Sequence, residues 1–273
     1  MKSYFIKRIV IAACLLSSFS SFSQIVSRSE LGIIAGGMYY IGDLNYQKYW
    51  NMPSVGGGIL YRYTFNDRWV FKANALYGQV SQLEDKNTER NLGFKSPIYE
   101  VSGHIEFNFL PFFTNRSVFD FSPYIFCGLG VFSFSPKARI GDEWYNLRDY
   151  RTEGQESVEY PDRKTYSSVQ INFPFGIGFK WDITKTICFG LEWGLRKTWT
   201  DYIDDVSTTY VNENMLLKDG GEIAKELADR SSNPYHFEGS RRGDSSKDDW
   251  YGVIGTSLTF KIKSLRTRGN CNN

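Results

Sequence analysis

Beyond residue 23 the sequence has no run approaching the roughly 20 continuous apolar residues of a membrane-spanning helix, which excludes a helical membrane protein. Mean hydropathy is low, at −0.38. Charge of one sign is not in excess. The 32 Lys and Arg face 30 Asp and Glu, and no basic run is interleaved with aromatics, so nothing invites nucleic acid. Cysteine is scarce: outside the leader only Cys127, Cys188 and Cys271 remain, an odd number in unlike segments, and no disulfide framework is indicated. No C-x-x-C pair or Cys/His cluster occurs, which argues against structural zinc. Histidine is scarcer still, with His104 and His236 as the only near-neutral bases. Large aromatics are abundant by contrast, with 21 Phe, 18 Tyr and 7 Trp in a chain that is polar on average. That pairing arises when side chains alternate between an apolar face and a wet one.

The first residues read as targeting. Lys2, Lys7 and Arg8 precede an apolar core, Ile9 to Leu16, and Ser21-Phe22-Ser23 offers small residues before a cleavage expected at Gln24. A lipoprotein signal is the rival, because Ile11-Ala12-Ala13-Cys14 resembles a lipobox, but its apolar core would be short and the apolar run continues past the cysteine. The expected organisation is a signal peptide over 1–23 and one domain over 24–273.

After residue 29 the chain resolves into eight segments with a period of two, as strands require. In the clearest, Ile171, Phe173, Phe175, Ile177, Phe179 and Trp181 oppose Asn172, Pro174, Gly176, Gly178 and Lys180. Ile187, Phe189, Leu191, Trp193 and Leu195 likewise oppose Cys188, Gly190, Glu192, Gly194 and Arg196. Tyr99, Val101, Ile105, Phe107 and Phe109 oppose Glu100, Ser102, His104, Glu106 and Asn108, and Trp250, Ile254, Leu258, Phe260 and Ile262 oppose Tyr251, Ser257, Thr259 and Lys261. Glu30–Tyr40, Val55–Phe65, Arg68–Val80 and Phe121–Phe134 are less pure. A β-sandwich would alternate too, but its strands are shorter, with a mean of about 5 to 6 residues. Aromatics near the segment ends (Tyr39, Tyr61, Tyr63, Trp69, Tyr77, Tyr99, Trp181, Trp199, Trp250) fit the interfacial girdles of an eight-stranded antiparallel transmembrane β-barrel in the cell outer membrane.

Residues 41–54, 66–67, 81–97, 110–120, 135–168, 182–186 and 199–249 connect the strands, longer and shorter in turn. Long loops lie outside in such barrels and short turns lie in the periplasm. The external loops are therefore expected at 41–54, 81–97, 135–168 and 199–249. Asn66-Asp67 reads as a tight hairpin. Within 199–249, Glu222 to Arg230 predicts a short helix between Gly220-Gly221 and Asn233-Pro234.

An eight-stranded barrel is just wide enough for its own side chains. The expected lumen sets Arg62, Lys72, Lys180, Arg196 and Lys261 against Glu100, Glu106 and Glu192, which favours a self-paired plug over an open pore. Lumen-facing Asn172 is expected to tolerate substitution better than lipid-facing Phe175 or Leu191. Ser102 and His104 share a face, the minimum for a hydroxyl nucleophile with a base, but that face is inaccessible to a lipid or peptide ester. Asp201, Asp204 and Asp205, with Asp43 from another external loop, have the chemistry of a calcium site or a paired-carboxylate protease. Loop capping and turn formation explain the same residues. No catalytic residue, cofactor or metal centre is expected, the three aspartates being the weak metal candidates. The turn at Asn66, Asp67 and Arg68, the 110–120 connection and a basic tail with Lys263, Arg266 and Arg268 form the expected periplasmic docking surface, suited to an acidic partner.

The stretches GGMYYIGDLN from residue 36, YRY at 61–63, NLGFKSPIYE at 91–100, EFNF at 106–109 and FSPYIFCGLGVFSFSPKA at 121–138 carry a resemblance. TEGQ at 152–155, PFGIGFK at 174–180 and EWGLRKTWTDYIDDVSTTY at 192–210 add to it. The chain resembles the PorG-like outer-membrane family of Bacteroidetes. The resemblance implies a component of the type IX secretion system, which exports cargo and supports gliding, with the barrel bound to the periplasmic ring of PorK and PorN. It brings no catalytic residues. Expected partners are outer-membrane lipids and periplasmic ring proteins resembling PorK and PorN. The other class of function is an independent outer-membrane barrel acting in adhesion or lipid modification.

Overall fold

The computed structural model describes residues 28–45, 54–83, 90–112, 120–231 and 236–262. The expected leader and the basic tail with Lys263, Arg266 and Arg268 lie outside the described residues. In chain order the strands are β1 (Arg28–Ile41), β2 (Ser54–Thr64), β3 (Trp69–Leu83), β4 (Gly93–Asn108), β5 (Phe121–Phe134), the short β6 (Lys137–Ile140) and β7 (Glu143–Asn146), then β8 (Val169–Asp182), β9 (Ile187–Thr198) and β10 (Trp250–Ile262). The eight long strands pair antiparallel in the ring β1-β2-β3-β4-β5-β8-β9-β10. β10 closes onto β1, so that Leu31 has Tyr61 on one side and Phe260 on the other. Closure leaves the wall without an edge, the arrangement that satisfies backbone groups in lipid.

Alternation sets the two faces. Leu31, Ile33, Ile59, Val101, Leu129, Val131, Ile171, Ile177 and Leu191 point outward and are exposed, while Arg62, Lys72, Asn74, Glu100, Glu106, Lys180 and Arg196 on the opposite parity are buried. So large an apolar outer surface is stable only against hydrocarbon. Aromatic pairs bound it: Trp69 with Phe107 and Phe121 with Phe179 toward the short turns, Tyr77 with Tyr99 toward the long loops. Eight residues separate Trp69 from Tyr77 along β3, or about 20 Å for a strand tilted near 40°. Leu191 stands within this belt. Leu191→Arg is expected to cost about 2–4 kcal/mol of stability in vesicles, read as a lower urea midpoint for the heat-modifiable barrel band. An unchanged midpoint would place Leu191 outside the hydrocarbon.

Four expectations are corrected. The connection 81–97 is shorter than expected: β3 and β4 run past the belt to Leu83 and Gly93, because Val80, Phe94 and Ile98 bury under packed external loops that keep one face dry. The turn at Asn66-Asp67 spans residues 65–68, since the Asn66 side-chain oxygen accepts from the backbone N–H groups of Arg68 and Trp69 and rounds it into an Asx turn. Tyr39 points outward but is no girdle residue. Its ring lies over Gly252, where a Cβ would stand 2.0 Å from Cζ, and its hydroxyl accepts from Trp193 Nε1 at 2.7 Å. The helix of the last loop, here α2 (Glu213–Ala228), begins nine residues before Glu222. Asn212 caps it, and Gly221, at φ 71°, turns it into two packed segments instead of flanking it. The loop after β5 also holds the β6–β7 hairpin and a short helix, α1 (Leu147–Tyr150), which the sequence reading did not anticipate.

Candidate functional site

Inward-pointing side chains from all eight long strands meet in one polar column. Glu106 from β4 is its hub: Lys180 Nζ lies at 2.6 Å, Arg62 Nε at 3.2 Å and Lys72 Nζ at 3.3 Å. Lys72 also pairs with Glu192, which accepts from the Tyr124 hydroxyl at 2.9 Å. Arg62 reaches toward Glu30 at 3.7 Å. One layer nearer the long loops, Glu100 accepts from Arg196 Nε at 3.3 Å, from the Tyr251 hydroxyl at 2.7 Å and from Ser102 Oγ at 2.8 Å. At the short-turn end Lys261 pairs with Asp182, and the Phe112 ring lies 5.4 Å from Lys261 Nζ and 5.8 Å from Lys180 Nζ. All eight charged residues assigned to the lumen from sequence are there. Glu30 and Asp182 were missed, although Glu30 shares the parity of lumen-facing Ile34. Asn172 is fully buried and donates to Glu100 and to the Tyr251 hydroxyl.

Above this column the long loops build a cap. Leu44, Leu92, Leu147, Tyr166, Ile203, Val206 and Leu227 form one buried cluster with the barrel-mouth residues Tyr40, Phe132, Phe134 and Tyr251. α2 turns Met215, Leu216, Ala224, Leu227 and Ala228 inward, an amphipathic spacing that binds the last loop down. The centre is Arg242, 1% exposed, which donates to Glu153 Oε1 at 2.8 Å, to the Asp205 carbonyl at 2.5 Å and to the Ala228 carbonyl at 3.1 Å. Glu153 also accepts from the backbone N–H of Ser207 at 2.9 Å and from Thr208 Oγ1 at 2.7 Å. Sequence reading missed both Arg242 and Glu153. The one available signal was TEGQ, a compact polar block inside a long loop, whose Thr152, Glu153 and Gln155 are all buried.

The three aspartates are also cap residues, and they part company. The Tyr40 hydroxyl stands 2.6 Å from Asp204 Oδ2 and 2.7 Å from Asp249 Oδ1. A phenol has one hydrogen, so serving both contacts requires a proton retained on one carboxyl. Asp204 also accepts from the backbone N–H of Val206, and Asp249 from that of Ile203. Asp205, at φ 66°, accepts from the Tyr166 hydroxyl at 2.7 Å and from Thr152 Oγ1, so its partners are distant instead of local. Asp43 accepts from the backbone N–H of Asp244. Among the described residues no group of three or more His, Cys, Asp and Glu side chains is arranged to hold a metal ion.

Burial raises the affinity of these carboxyls for protons. Desolvation and the nearby Asp204 push Asp201 up to about 9, desolvation pushes Asp205 to about 6 against the pull of Arg242, and desolvation holds Asp204 and Asp249 well above the usual range. A raised carboxyl makes the folded cap bind more protons than the unfolded loop, so stability is lost as pH rises from about 4 through the folded values. Asp229 and Asp244, held low by hydrogen bonds, have the opposite sign but finish titrating below that window. The cap is therefore expected to resist protease better at pH 5 than at pH 8, with the barrel band unchanged at both. Equal cleavage rates would mean that the carboxyls are ionised throughout.

The periplasmic candidates are placed only in part. Asn66, Asp67 and Arg68 are exposed at the end opposite the cap, and Arg68 Nη1 donates to the Phe109 carbonyl at 2.9 Å, tying two turns together. Ser102 Oγ is engaged by Glu100, and His104 is buried and stacked on Phe126 at 5.1 Å. Among the described residues, Cys127 and Cys188 are free thiols.

A closed wall, a lipid-facing belt and a filled lumen define a small outer-membrane β-barrel. The chain belongs to the family described as Domain of unknown function (DUF6089), whose model matches residues 6–227. It is similar to solved outer-membrane structures. One is Neisserial surface protein A, from Neisseria, at 10% identity over 86% of this chain and 97% of that chain, with a TM-score of 0.44. Ail, the attachment invasion locus protein of Yersinia pestis, shares 10% identity over 86% of this chain and 97% of its own, with a TM-score of 0.38. OprG from Pseudomonas aeruginosa shares 11% over 87% and 95%, with a TM-score of 0.39. No curated protein matches the sequence.

Proposed function

We propose that this barrel is a non-catalytic, non-conducting scaffold that ties the periplasmic ring of the type IX secretion system to the outer membrane. The observation that carries the non-conducting part is the burial of the lumen charges: Arg62, Lys72 and Lys180 are 1% exposed and Arg196 is 0% exposed. A water-filled channel would leave them wet. The non-catalytic part is supported by Ser102, whose hydroxyl is spent on Glu100, and by His104, which is sealed inside the wall. The secretion role rests on the PorG-like motifs, several of which supply the cap: Asp43 in IGDL, Glu153 in TEGQ, and Asp204 and Asp205 in YIDDVST. The partner surface is the periplasmic face, with the exposed Asn66–Arg68 turn and the basic residues Lys263, Arg266 and Arg268 of the tail as its charged candidates.

Affinity purification from solubilised envelope tests this. The expected result is co-purification of ring proteins resembling PorK and PorN, together with silence in planar-bilayer recordings. Truncation after Ser264 with normal membrane insertion and lost pull-down would assign docking to the tail. Absence of any ring protein from the intact barrel's eluate would sink the secretion role. That outcome would favour the second reading, adhesion, for which the external surface offers strongly exposed Val158 and Phe237.

A further inference from the structure

Among the described residues not every cation is paired with an acid. Lys95 on β4 and Lys137 on β6 are direct register partners. Their neighbours Phe94, Ser96 and Ala138 are buried, so both ammonium groups leave the wall on its outer side. Side chains directly opposite in an antiparallel pair have Cβ atoms about 4.5–5.5 Å apart, and like charges there repel. Among the described residues neither lysine has a carboxylate within ion-pair distance. The acids of the β6–β7 hairpin are engaged elsewhere: Asp142 by Arg139, and Glu143 by the Tyr145 hydroxyl at 2.6 Å. Trp144 completes the group, with Lys95 Nζ 5.2 Å from its ring centroid.

Depth says what such a pair meets. Lys95 stands four residues beyond Tyr99 on β4, on the same outward parity, toward the long loops. Four residues of a tilted strand rise about 10 Å. Tyr77 and Tyr99 mark the apolar boundary, so the two lysines lie at headgroup level on the external side. The outer leaflet of an outer membrane presents phosphorylated glycolipid there, with its phosphates just above the acyl boundary. Two adjacent ammonium groups suit one phosphate, whose several oxygens take a charge-assisted hydrogen bond from each. An indole beside them suits the apolar margin of a sugar headgroup.

We propose that Lys95 and Lys137, with Trp144, form an external-rim site for the phosphate of an outer-leaflet glycolipid. The phosphate would relieve the repulsion that the wall otherwise holds between two register partners. It would also brace the β6–β7 hairpin, the part of the cap nearest the lipid, against the barrel. Lys197, over the Trp250 ring at 5.6 Å on β9, is a single rim cation and serves as the internal comparison.

The site rests on the barrel lying in the outer membrane with its long loops outside, so the experiment must separate that topology from the site. The full chain is refolded into nanodiscs, with heat-modifiable migration and protease cleavage of the cap as checks on insertion. Retention of bisphosphorylated lipid A is then measured by native mass spectrometry against lipid A stripped of its phosphates. Wild type is expected to prefer the phosphorylated lipid. Lys95→Gln/Lys137→Gln is expected to weaken its binding by about thirtyfold, from two lysines near an anionic surface. Lys95→Arg/Lys137→Arg should retain it, and Lys197→Gln should change it by less than the double variant does. Millimolar inorganic phosphate should not compete. Equal retention of both lipids by inserted wild type, or equal retention by wild type and the glutamine pair, overturns the site. Full competition by inorganic phosphate overturns the assignment to lipid. Failure of the wild type to insert at all indicts the topology instead.

Discussion

Glu106→Leu is expected to lower the barrel's stability by about 3–5 kcal/mol, the usual cost of leaving buried charge without its partner. Three cations converge on this carboxylate within 3.3 Å. Lys72 keeps Glu192 and Arg62 keeps a distant Glu30, but among the described residues Lys180 is left in a dry column with no other carboxylate within ion-pair distance. The measurement is a urea titration in vesicles, following the heat-modifiable band. Glu106→Leu/Lys180→Met should recover part of the loss, because removing a buried pair together costs less than orphaning one member. A loss below about 1 kcal/mol for the single change would mean that water enters the column and solvates the lysine. The non-conducting reading would then fail with it.

Glu106 also illustrates what the sequence makes legible. Lipid on one side and a narrow lumen on the other force every wall residue to declare a face, so a period of two carries nearly all the information. Lys72, Lys180, Arg196, Glu100, Glu106 and Glu192 could be placed by parity alone. Tyr39 could not. Its parity is right, but the slot that hides it is made by Gly252 on a neighbouring strand, and cross-strand register is not written in either segment alone. The cap is less legible for the same reason on a larger scale. Its bonds join residues far apart: Tyr40 to Asp249 across 209 positions, and Arg242 to Glu153 across 89. No periodicity links such positions. The aspartates of YIDDVST looked like a local cluster because they are consecutive in sequence, whereas folding sends Asp204 to the barrel mouth and Asp205 to the loop after β7.

That separation between wall and cap has an energetic consequence, and Arg242 is the place to test it. Its side chain and carbonyl join four stretches of loop: Glu153, the Asp205 carbonyl, the Ala228 carbonyl at the end of α2, and Arg90, which donates to the Arg242 carbonyl. Arg242→Ala would leave the buried Glu153 carboxyl without its cation and with only neutral donors around it. The loss expected is about 3–5 kcal/mol. It should fall on the cap, since none of these contacts touches a membrane-spanning strand. Limited proteolysis should then cut within 135–168 or 199–249 while the heat-modifiable barrel band survives, as expected of a locally unfolding unit on a stable frame. Arg242→Lys should fall between, because a point charge cannot reach a carboxylate and two carbonyls as a planar fork does. Arg242→Met/Glu153→Gln should regain part of the protection. If the wall melted together with the cap in Arg242→Ala, the buried cluster of Tyr40, Phe132, Phe134 and Tyr251 would be transmitting the damage downward. Cap and barrel would then be one cooperative unit, held together at the mouth by the same residues that seal it.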